Sequence, residues 1–496
     1  MFKKILIANR GEIAIRIMRT AREMGIGTVA IYSAADDGAY HTTVADEALF
    51  LGEGTLQDTY LNIGKIIDLA KASGAEAIHP GYGFLAENPE FASACEEAGI
   101  KFIGPSPEAI RLMGNKLEAR KIAEQQGLPL LKGSTGGIEN VLKEAQHLQF
   151  PLLVKAAAGG GGKGMRIVRK AEELEEAVKA TSREAKNYFG NGTVYVERYI
   201  ENPRHIEIQV LGDHHGNIIH LFERECSIQR RYQKIIEESP SPTLNDEIRH
   251  KMGEAAVTIA KAIGYTSAGT VEFLVDEHLN FYFLEMNTRI QVEHPVTEMV
   301  TGTDLVRHQF LIALGEKLEL QQEDITQKGH AIECRIYAEN PELNFAPSPG
   351  KISYYQEPRG LWIRNDSGLQ GPDEVNPQFD PMISKLVVWG ENREIARKRM
   401  ILALKQYIIH GISTNIAFLE KVMEHPDYIE NKISTHFCDN QLSAIVENLK
   451  KEKEAVPPEI AVLAAALYET KKEGMHKGIH QPEEFDVWKM IGHWRN

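Results

Sequence analysis

Two glutamates in otherwise apolar strands are the strongest chemical signal in the sequence. Two segments that alternate apolar and polar side chains flank a polar turn, and they predict a β-hairpin in which Glu272 lies opposite Glu285. The same alternation places Phe283 and Asn287 on the face of Glu285. Adjacent carboxylates repel each other and lose solvation among apolar neighbours, and a divalent cation relieves both costs. The pair therefore predicts a magnesium site that also uses substrate phosphates, with a solvated acidic rim as the alternative.

The alternation continues past the hairpin. Arg289, Gln291 and Glu293 are predicted to point one way along a strand that ends at His294-Pro295. An arginine and a glutamate on one face beside a metal are suited to binding an oxyanion and removing its proton. A salt-bridged strand face without chemistry is the alternative interpretation of this pattern.

A third strand, residues 204–211, also separates polar from apolar side chains. Its apolar residues alternate with a polar face made of His205, Glu207 and Gln209. A histidine in a strand is more often structural than catalytic. No H-E-x-x-H sequence occurs, so the histidines do not indicate a zinc enzyme.

A glycine-rich loop at residues 156–164 lies between two predicted strands. It is not a Walker A loop, because Ala157 replaces a required glycine and Gly164 replaces the Ser or Thr that holds magnesium. Flanking strands predict a hairpin tip whose backbone approaches a phosphate and moves as a lid. Lys155, at the end of the entering strand, is placed to add a positive charge. The alternative is a flexible surface hairpin.

These segments belong to a chain of 496 residues, a length typical of about three domains. The first hundred residues alternate short apolar runs with helical patterns, which predicts a parallel α/β sheet. The first turn, residues 9–12, lacks the three glycines of a dinucleotide-binding fingerprint. Residues 331–337 and 384–388 are predicted strands, and residues 393–409 a helix. The charged tail, 447–496, carries two of the four tryptophans.

Composition excludes several classes of protein. There are 56 basic and 70 acidic residues, and the net charge of −14 argues against a nucleic-acid binder. The four cysteines are far apart and form no C-x-x-C pair, which favours a reducing compartment. No signal peptide and no uncharged apolar run of membrane-spanning length are visible. We expect a soluble, cytoplasmic protein without membrane partners.

The order of these features resembles the ATP-grasp superfamily. That order is Asn115-Lys116, the Lys155 strand, the glycine hairpin, residues 197–200, Glu272 and Glu285-Met286-Asn287. More narrowly, the sequence from Phe2 to about Leu449 looks like biotin carboxylase. The motifs that carry this resemblance are Ala8-Asn9-Arg10-Gly11-Glu12-Ile13-Ala14, His79-Pro80-Gly81-Tyr82-Gly83-Phe84-Leu85, Arg204-His205-Ile206-Glu207-Ile208-Gln209, and Glu285-Met286-Asn287-Thr288-Arg289-Ile290-Gln291-Val292-Glu293-His294-Pro295.

The fold that this resemblance implies is a multidomain α/β and α+β arrangement. It has a Rossmann-like N-terminal domain with a parallel sheet, an ATP-grasp domain with a mobile lid, and a β-rich C-terminal domain. The expected boundaries are 1–112, 113–330 with the lid at about 131–201, 331–446, and the tail 447–496.

The resemblance also implies a reaction for an ADP-forming ligase. Bicarbonate attacks the γ-phosphate of ATP to give carboxyphosphate, and the carboxyl group passes to N1 of biotin. Glu272, Glu285 and Asn287 would hold Mg²⁺ or Mn²⁺. Glu293 would deprotonate bicarbonate, and Arg335 would stabilise the biotin enolate.

Further residues receive binding roles by the same resemblance. Bicarbonate or biotin would contact Lys234, Arg289, Gln291, the Val292 backbone and Tyr82. The ATP-binding set would be Lys116, Lys155, Gly161, Gly162, Glu197, Arg198, Tyr199, Ile200, His205, Gln229 and Tyr232, together with Glu272 and Glu285. Tyr232 departs from the family, since many members carry histidine there.

The sequence contains no Ala-Met-Lys-Met biotinylation signal. We therefore expect biotin on a separate biotin carboxyl carrier protein, with a carboxyltransferase subunit delivering the carboxyl group to acetyl-CoA, propionyl-CoA or pyruvate. The family suggests a homodimer, and the tail either docks a partner or packs on its own body. The alternative functions are another ATP-grasp carboxylate ligase and a non-catalytic nucleotide-binding subunit.

Overall fold

The computed structural model describes residues 1–145, 147–156, 165–189, 192–371, 373–455, 457–460 and 462–467. The chain divides into two compact units, Met1–Leu442 and Ser443–Asn496. In the second unit the large apolar side chains at 460, 462, 463 and 467 are exposed. Trp488 and Trp494 lie outside the described residues. No helix in the described part of the chain is long and apolar enough to span a membrane.

The N-terminal region is the predicted parallel α/β sheet. Its strand order is β3-β2-β1-β4-β5, and every neighbouring pair is parallel. The elements are β1 (Lys4–Ile7), α1 (Gly11–Glu23), β2 (Gly27–Ser33), α2 (Tyr40–Val44), β3 (Glu47–Gly52), α3 (Ile63–Ser73), β4 (Ala77–His79), α4 (Pro89–Glu97), β5 (Lys101–Phe102) and α5 (Pro107–Gly114).

The two motifs in this region meet at the carboxyl ends of β1 and β4. The Asn9 side chain donates to the carbonyls of Pro80 at 2.7 Å and Tyr82 at 2.8 Å. Gly81 has φ +64°, and a Cβ there would lie 2.9 Å from the Asn9 amide. Glycine is therefore required at this position by both conformation and space.

A small antiparallel sheet follows, with strand order β6-β9-β7-β8. An apolar core that includes Leu152, Val154 and Val196 lies between it and its helices. β7 and β8 are antiparallel neighbours on either side of the glycine-rich loop, whose residues 157–164 lie outside the described residues. The elements are α6 (Lys116–Gln125), β6 (Gly133–Gly136), α7 (Ile138–Ala145), β7 (Leu152–Ala156), β8 (Arg166–Val168), α8 (Ala171–Phe189) and β9 (Val194–Arg198).

An eight-stranded sheet with strand order β14-β13-β10-β11-β12-β15-β22-β20 carries most of the predicted site. Its ladders are antiparallel, and it runs without a break from the region before residue 330 into the region after it. Its elements up to that point are β10 (Arg204–Gly212), β11 (Ile218–Arg230), β12 (Gln233–Ser239), α9 (Asp246–Ala262), β13 (Ser267–Val275), β14 (Phe281–Asn287), α10 (His294–Thr301) and α11 (Leu305–Ala313).

The C-terminal region adds the other edge of this sheet and several short pairs. The helix predicted over residues 393–409 ends at Gln406, because residues 408–410 pair with another strand instead. The elements are β15 (His330–Tyr337), β16 (Glu339–Asn340), β17 (Ala346–Pro347), β18 (Gly350–Lys351), β19 (Tyr354–Gln356), β20 (Ile363–Ser367), β21 (Glu374–Val375), β22 (Met382–Gly390), α12 (Arg393–Gln406), β23 (Ile408–His410), α13 (Ile416–Glu424), α14 (Pro426–Ile429) and α15 (Phe437–Ala455).

Candidate active site

The β13–β14 hairpin places Glu272 directly opposite Glu285, as the alternation predicts. A β-bulge follows Glu272, so that Phe273 pairs with Phe283. The prediction that Phe283 shares the face of Glu285 is therefore wrong: its ring packs against Phe273 in the apolar core. The bulge inserts one extra residue in β14, which returns Phe283 to the core while Glu285 stays beside Glu272.

Glu272 is buried and fully engaged. One of its oxygens accepts hydrogen bonds from Lys234 at 2.8 Å, Asn287 at 2.9 Å and Gln291 at 2.8 Å. The other lies 3.0 Å from Nε2 of His205. Burial alone would raise the pKa of Glu272, but Lys234 and His205 outweigh it and hold that pKa well below its usual range. The carboxylate is ionised at neutral pH.

Lys234, on β12, is the centre of the site. Its ammonium contacts Glu207 at 2.5 Å, Glu272 at 2.8 Å and Glu293 at 2.7 Å. Burial lowers the pKa of this lysine, yet the three carboxylates raise it well above its usual value. A single permanent cation therefore joins three strands and the turn that carries Glu293.

His205 and Glu207 lie on the polar face predicted for β10, with Ile206 and Ile208 in the core behind them. Burial lowers the pKa of His205, but Glu272 and Glu207 outweigh that effect and raise it to about 9. The imidazole is consequently a second cation at neutral pH. Gln209, next along the face, donates to the carbonyl of Gly269 at 2.8 Å.

The segment after β14 is not the predicted strand. β14 ends at Asn287, and residues 288–293 form an irregular turn that leads into α10. In this turn Glu293 is buried and accepts from Lys234 and from Arg335, the latter at 3.0 Å. Burial raises the pKa of Glu293, but Lys234 and Arg335 lower it below its usual range. The turn thus presents an ionised carboxylate among cations.

Arg289 contacts a residue that sequence reasoning missed. Its guanidinium contacts the Glu87 carboxylate at 2.7 Å and donates to Oδ1 of Asn287 at 3.0 Å. The backbone N–H of Thr288 also donates to Glu87, at 3.2 Å. Glu87 follows the motif 79–85, and no periodic pattern marks it. Val292 is half-buried, and its neighbours in sequence, Gln291 and Glu293, are buried.

Arg224, on β11, is the second residue that sequence reasoning missed. It is fully buried and pairs with Glu207 at 2.6 Å. Its remaining N–H groups reach Gln209, Thr270, Gln291 and Thr297 at 2.6–3.0 Å. All five guanidinium donors are therefore used, and they position Glu207 and Gln291. Arg224 lies opposite Glu207 in the ladder, a pairing that the register of β10 and β11 sets and that no local sequence pattern marks.

The predicted nucleotide residues separate into two groups. Lys116, at the start of α6, lies 3.7 Å from Glu285 and so joins the carboxylate pair. Lys155 pairs instead with Glu197 at 2.5 Å on the small sheet. The exposed Arg198 is the last residue of β9, and the hydroxyl of Tyr199, which follows it, lies 2.8 Å from Nε2 of His436. Ile200 is half-buried, while Gly161 and Gly162 lie outside the described residues.

Three other predicted residues have contacts outside the Lys234 cluster or are exposed. Gln229 is opposite Lys234 in the ladder and donates to the Cys226 carbonyl at 2.9 Å. Tyr232 is 62% exposed at the β11–β12 turn, with φ +66°. The Tyr82 hydroxyl donates to Glu12 rather than to the Lys234 cluster.

The carboxylate oxygens of Glu272 and Glu285 could bind a divalent cation between them. Ligand atoms of His205, Glu207 and Glu272 lie within 4.8 Å of one another, but Lys234 already supplies positive charge there. Glu285 is 38% exposed, and partial burial together with the charge of Glu272 raises its pKa. A cation between these two carboxylates would relieve that repulsion, so the residues present fit the group.

Family models and known proteins agree with this arrangement. The biotin carboxylase N-terminal domain matches residues 1–110, the ATP-binding domain of the carbamoyl-phosphate synthase L chain matches 115–321, and the biotin carboxylase C-terminal domain matches 333–440. Biotin carboxylase 1 of Bacillus subtilis (strain 168) is 54% identical over 443 residues, which are 88% of this chain and 98% of that protein. The chain belongs to the biotin carboxylase family.

Two further relatives extend the comparison. A pyruvate carboxylase subunit of Methanothermobacter thermautotrophicus is 51% identical over 91% of this chain and 92% of its own length. The biotin carboxylase domain dimer of Hydrogenobacter thermophilus 2-oxoglutarate carboxylase, solved with MgADP, ADP and bicarbonate, has a TM-score of 0.86 and 50% identity. It covers 90% of this chain and 99% of that one. The predicted family, fold class and enzymatic function as a biotin carboxylase are confirmed.

Proposed function

We propose that this chain is the biotin carboxylase component of a multisubunit carboxylase, and that it carboxylates carrier-bound biotin with bicarbonate and ATP. The observation that carries this proposal is the Lys234 cluster, in which one ammonium holds Glu207, Glu272 and Glu293 together beside Arg335. Such a site binds a small anion between cations and keeps a carboxylate base within reach of it.

In the first step bicarbonate attacks the γ-phosphorus of ATP, ADP leaves, and carboxyphosphate forms. Glu293 is the base that takes the bicarbonate proton, since its lowered pKa keeps it ionised. Lys234, Arg289, Gln291 and the Val292 backbone hold the anion in this proposal. Phosphoryl transfer needs positioned charges more than covalent chemistry, and this set provides them.

In the second step the bond between the carboxyl carbon and the phosphate oxygen of carboxyphosphate breaks, the carboxyl group bonds to N1 of biotin, and the released phosphate takes the N1 proton. Arg335 stabilises the negative charge that develops on the ureido oxygen of biotin. Its guanidinium lies 3.0 Å from Glu293, so the base and the enolate-binding group are already in contact. Tyr82 contributes to binding bicarbonate or biotin from the N-terminal region.

The nucleotide and the metal complete the proposal. The residues that bind ATP in this proposal are Lys116, Lys155, His205, Gln229, Tyr232, Gly161, Gly162 and residues 197–200. Glu272, Glu285 and Asn287 would hold Mg²⁺ or Mn²⁺, which neutralises phosphate charge when bound. Lys116 lies 3.7 Å from Glu285 and can therefore reach a phosphate beside the metal.

The finer assignments belong to the same proposal. The domains are 1–112, 113–330 with a lid at about 131–201, and 331–446, and the chain forms a homodimer. Its partners are a separate biotin carboxyl carrier protein and a carboxyltransferase subunit, which is consistent with a relative named as a component of pyruvate carboxylase. The tail, 447–496, docks one of them. The four free, buried cysteines suit a reducing cytoplasm.

One assay separates the proposal from its alternatives. Purified protein with ATP and Mg²⁺ should release ADP only when both bicarbonate and free biotin are present. Glu293→Gln is the matched control, because it keeps the shape of the side chain and removes the base. ADP release that is stimulated by another carboxylate or amine would indicate a different ATP-grasp ligase. Nucleotide binding without turnover would indicate a non-catalytic subunit.

A further inference from the structure

Two buried carboxylates that the proposed chemistry does not use lie behind Arg335. Glu237 on β12 and Glu333 on β15 are directly opposite each other in the antiparallel ladder. Both side chains are fully buried. Opposite residues in such a ladder have Cβ atoms about 5 Å apart, so the two carboxyl groups are neighbours.

Glu237 orients the Arg335 guanidinium. One of its oxygens accepts from Nε and lies 2.6 Å from Nη2 of Arg335. The same Nη2 reaches Glu293 at 3.0 Å. The two contacts determine both the plane and the direction of the guanidinium, because its donors form a rigid fork. The second oxygen of Glu237 is buried and has no hydrogen-bond partner among the described residues.

Glu333 has even fewer hydrogen bonds than Glu237. Both of its carboxyl oxygens are buried without a hydrogen-bond partner in the described part of the chain. The neighbouring lysine on β22, Lys385, is 3.0 Å from Glu12 and forms its ion pair there. Burial, reinforced by Glu237, raises the pKa of Glu333 well above its usual value, and burial raises the pKa of Glu237 to about 7. Ionising both groups in this place would be costly.

The cations around Glu333 already have other partners. Lys385 pairs with Glu12, and Arg335 pairs with Glu237 and Glu293. A negative charge at Glu333 would have no cation within ion-pair distance among the residues that the structure describes.

We propose that Glu333 is held as a neutral carboxylic acid whose O–H donates to the free oxygen of Glu237, and that this acid pair positions Arg335 for catalysis. The donated hydrogen bond keeps Glu237 ionised and aimed at Arg335. It also leaves the outer edge of the guanidinium for Glu293 and the substrate. This inference rests on the proposed role of Arg335, and both glutamates are positioning residues.

The test compares Glu333→Gln with Glu333→Leu. The Gln amide can donate to Glu237 without titrating, whereas Leu has a similar size and donates nothing. We expect Glu333→Gln to carboxylate free biotin with a kcat within about threefold of the wild type. We expect Glu333→Leu to lose about 30-fold in kcat with an unchanged KM for ATP, since a misplaced catalytic group costs up to about 100-fold. An equal loss in both variants, or none in Leu, would overturn the proposal.

Infrared spectroscopy provides a second measurement that does not depend on activity. The wild type should show the carbonyl band of a buried protonated carboxylic acid, and that band should be missing in Glu333→Gln. If Glu333→Leu does not fold, this band and the Glu333→Gln kinetics still decide the question, because a wild type without the band contradicts a neutral Glu333. Absence of biotin-dependent ADP release in the wild type would instead contradict the proposed function.

Discussion

Glu237 and Glu238 are consecutive residues of β12, equally buried, and they belong to two different charged clusters. Glu237 pairs with Arg335, a cation that it shares with Glu293 of the Lys234 cluster. Glu238, on the other side of the sheet, is bound by two partners of its own, His330 at 2.7 Å and Arg393 at 2.7 and 3.0 Å.

The difference appears in the acidity of the two side chains. Burial raises the pKa of Glu237 to about 7. Glu238 is buried to a similar degree, but Arg393 and His330 outweigh that effect and lower its pKa to about 2. Burial alone therefore does not distinguish a structural ion pair from a reactive site. The distinction lies in whether each carboxylate has its own cation or must share one that a substrate or metal can also contact.

The largest expected effect comes from Glu285→Gln, at the residue opposite Glu272 of the Lys234 cluster. The metal would lose a charged ligand at the phosphates, so bicarbonate-dependent ADP release should fall about 1,000-fold, or about 4 kcal/mol. The unfolding midpoint should stay unchanged, because Glu285 is 38% exposed and its nearest ion-pair partner is 3.7 Å away. Unaltered turnover in this variant would remove Glu285 from the active site.

The opposite behaviour is expected of Glu238→Gln. Removing one charge from a buried pair leaves Arg393 uncompensated and should lower the free energy of unfolding by about 3 kcal/mol. Activity per folded molecule should be retained, since Glu238 faces away from Lys234. Denaturant unfolding measured beside steady-state kinetics checks both points. A variant that is stable but inactive would contradict the division into two clusters.

Glu293→Gln and Arg335→Ala should divide the two steps of the reaction. Loss of the base should reduce bicarbonate-dependent ADP release about 100-fold. With bicarbonate and free biotin both present, loss of the guanidinium should reduce carboxylation of biotin about 30-fold and reduce ADP release less, because Arg335 acts in the second step. Parallel assays of ADP and of carboxybiotin distinguish these outcomes. If both variants behaved as the wild type, the roles carried over from the family would be wrong.

The smallest effect is the pH dependence of the Glu238 pair. The pKa of Glu238 is lowered from 4.5 to about 2 in the folded protein, so the folded state favours the ionised form of this side chain. The stability it contributes is present above pH 4.5 and is lost as the pH falls toward about 2. The stability gap between wild type and Glu238→Gln should therefore shrink below pH 4.5. A gap that grew on acidification would contradict the lowered pKa.

Much of the fold and part of the site follow from local sequence patterns. The parallel sheet, the face of β10 that carries His205, and the opposition of Glu272 and Glu285 could all be predicted. Each depends on alternation within one strand or on the two strands of one hairpin, which are properties of neighbouring residues. The resemblance of the motifs to biotin carboxylase added the expected roles, which no local pattern supplies.

Only the tertiary structure decided which distant groups meet. The bulge that returns Phe283 to the core, the end of β14 at Asn287 and the contact of Arg289 with Glu87 have no local signature. The same holds for Arg224 beneath Glu207 and for Glu333 opposite Glu237. These arrangements depend on strand order and register across a sheet of eight strands. Buried charged residues therefore pair with residues that are distant in sequence. The sequence alone determined which residues are candidates for the site, and the packing of the sheet determined which of them contact each other.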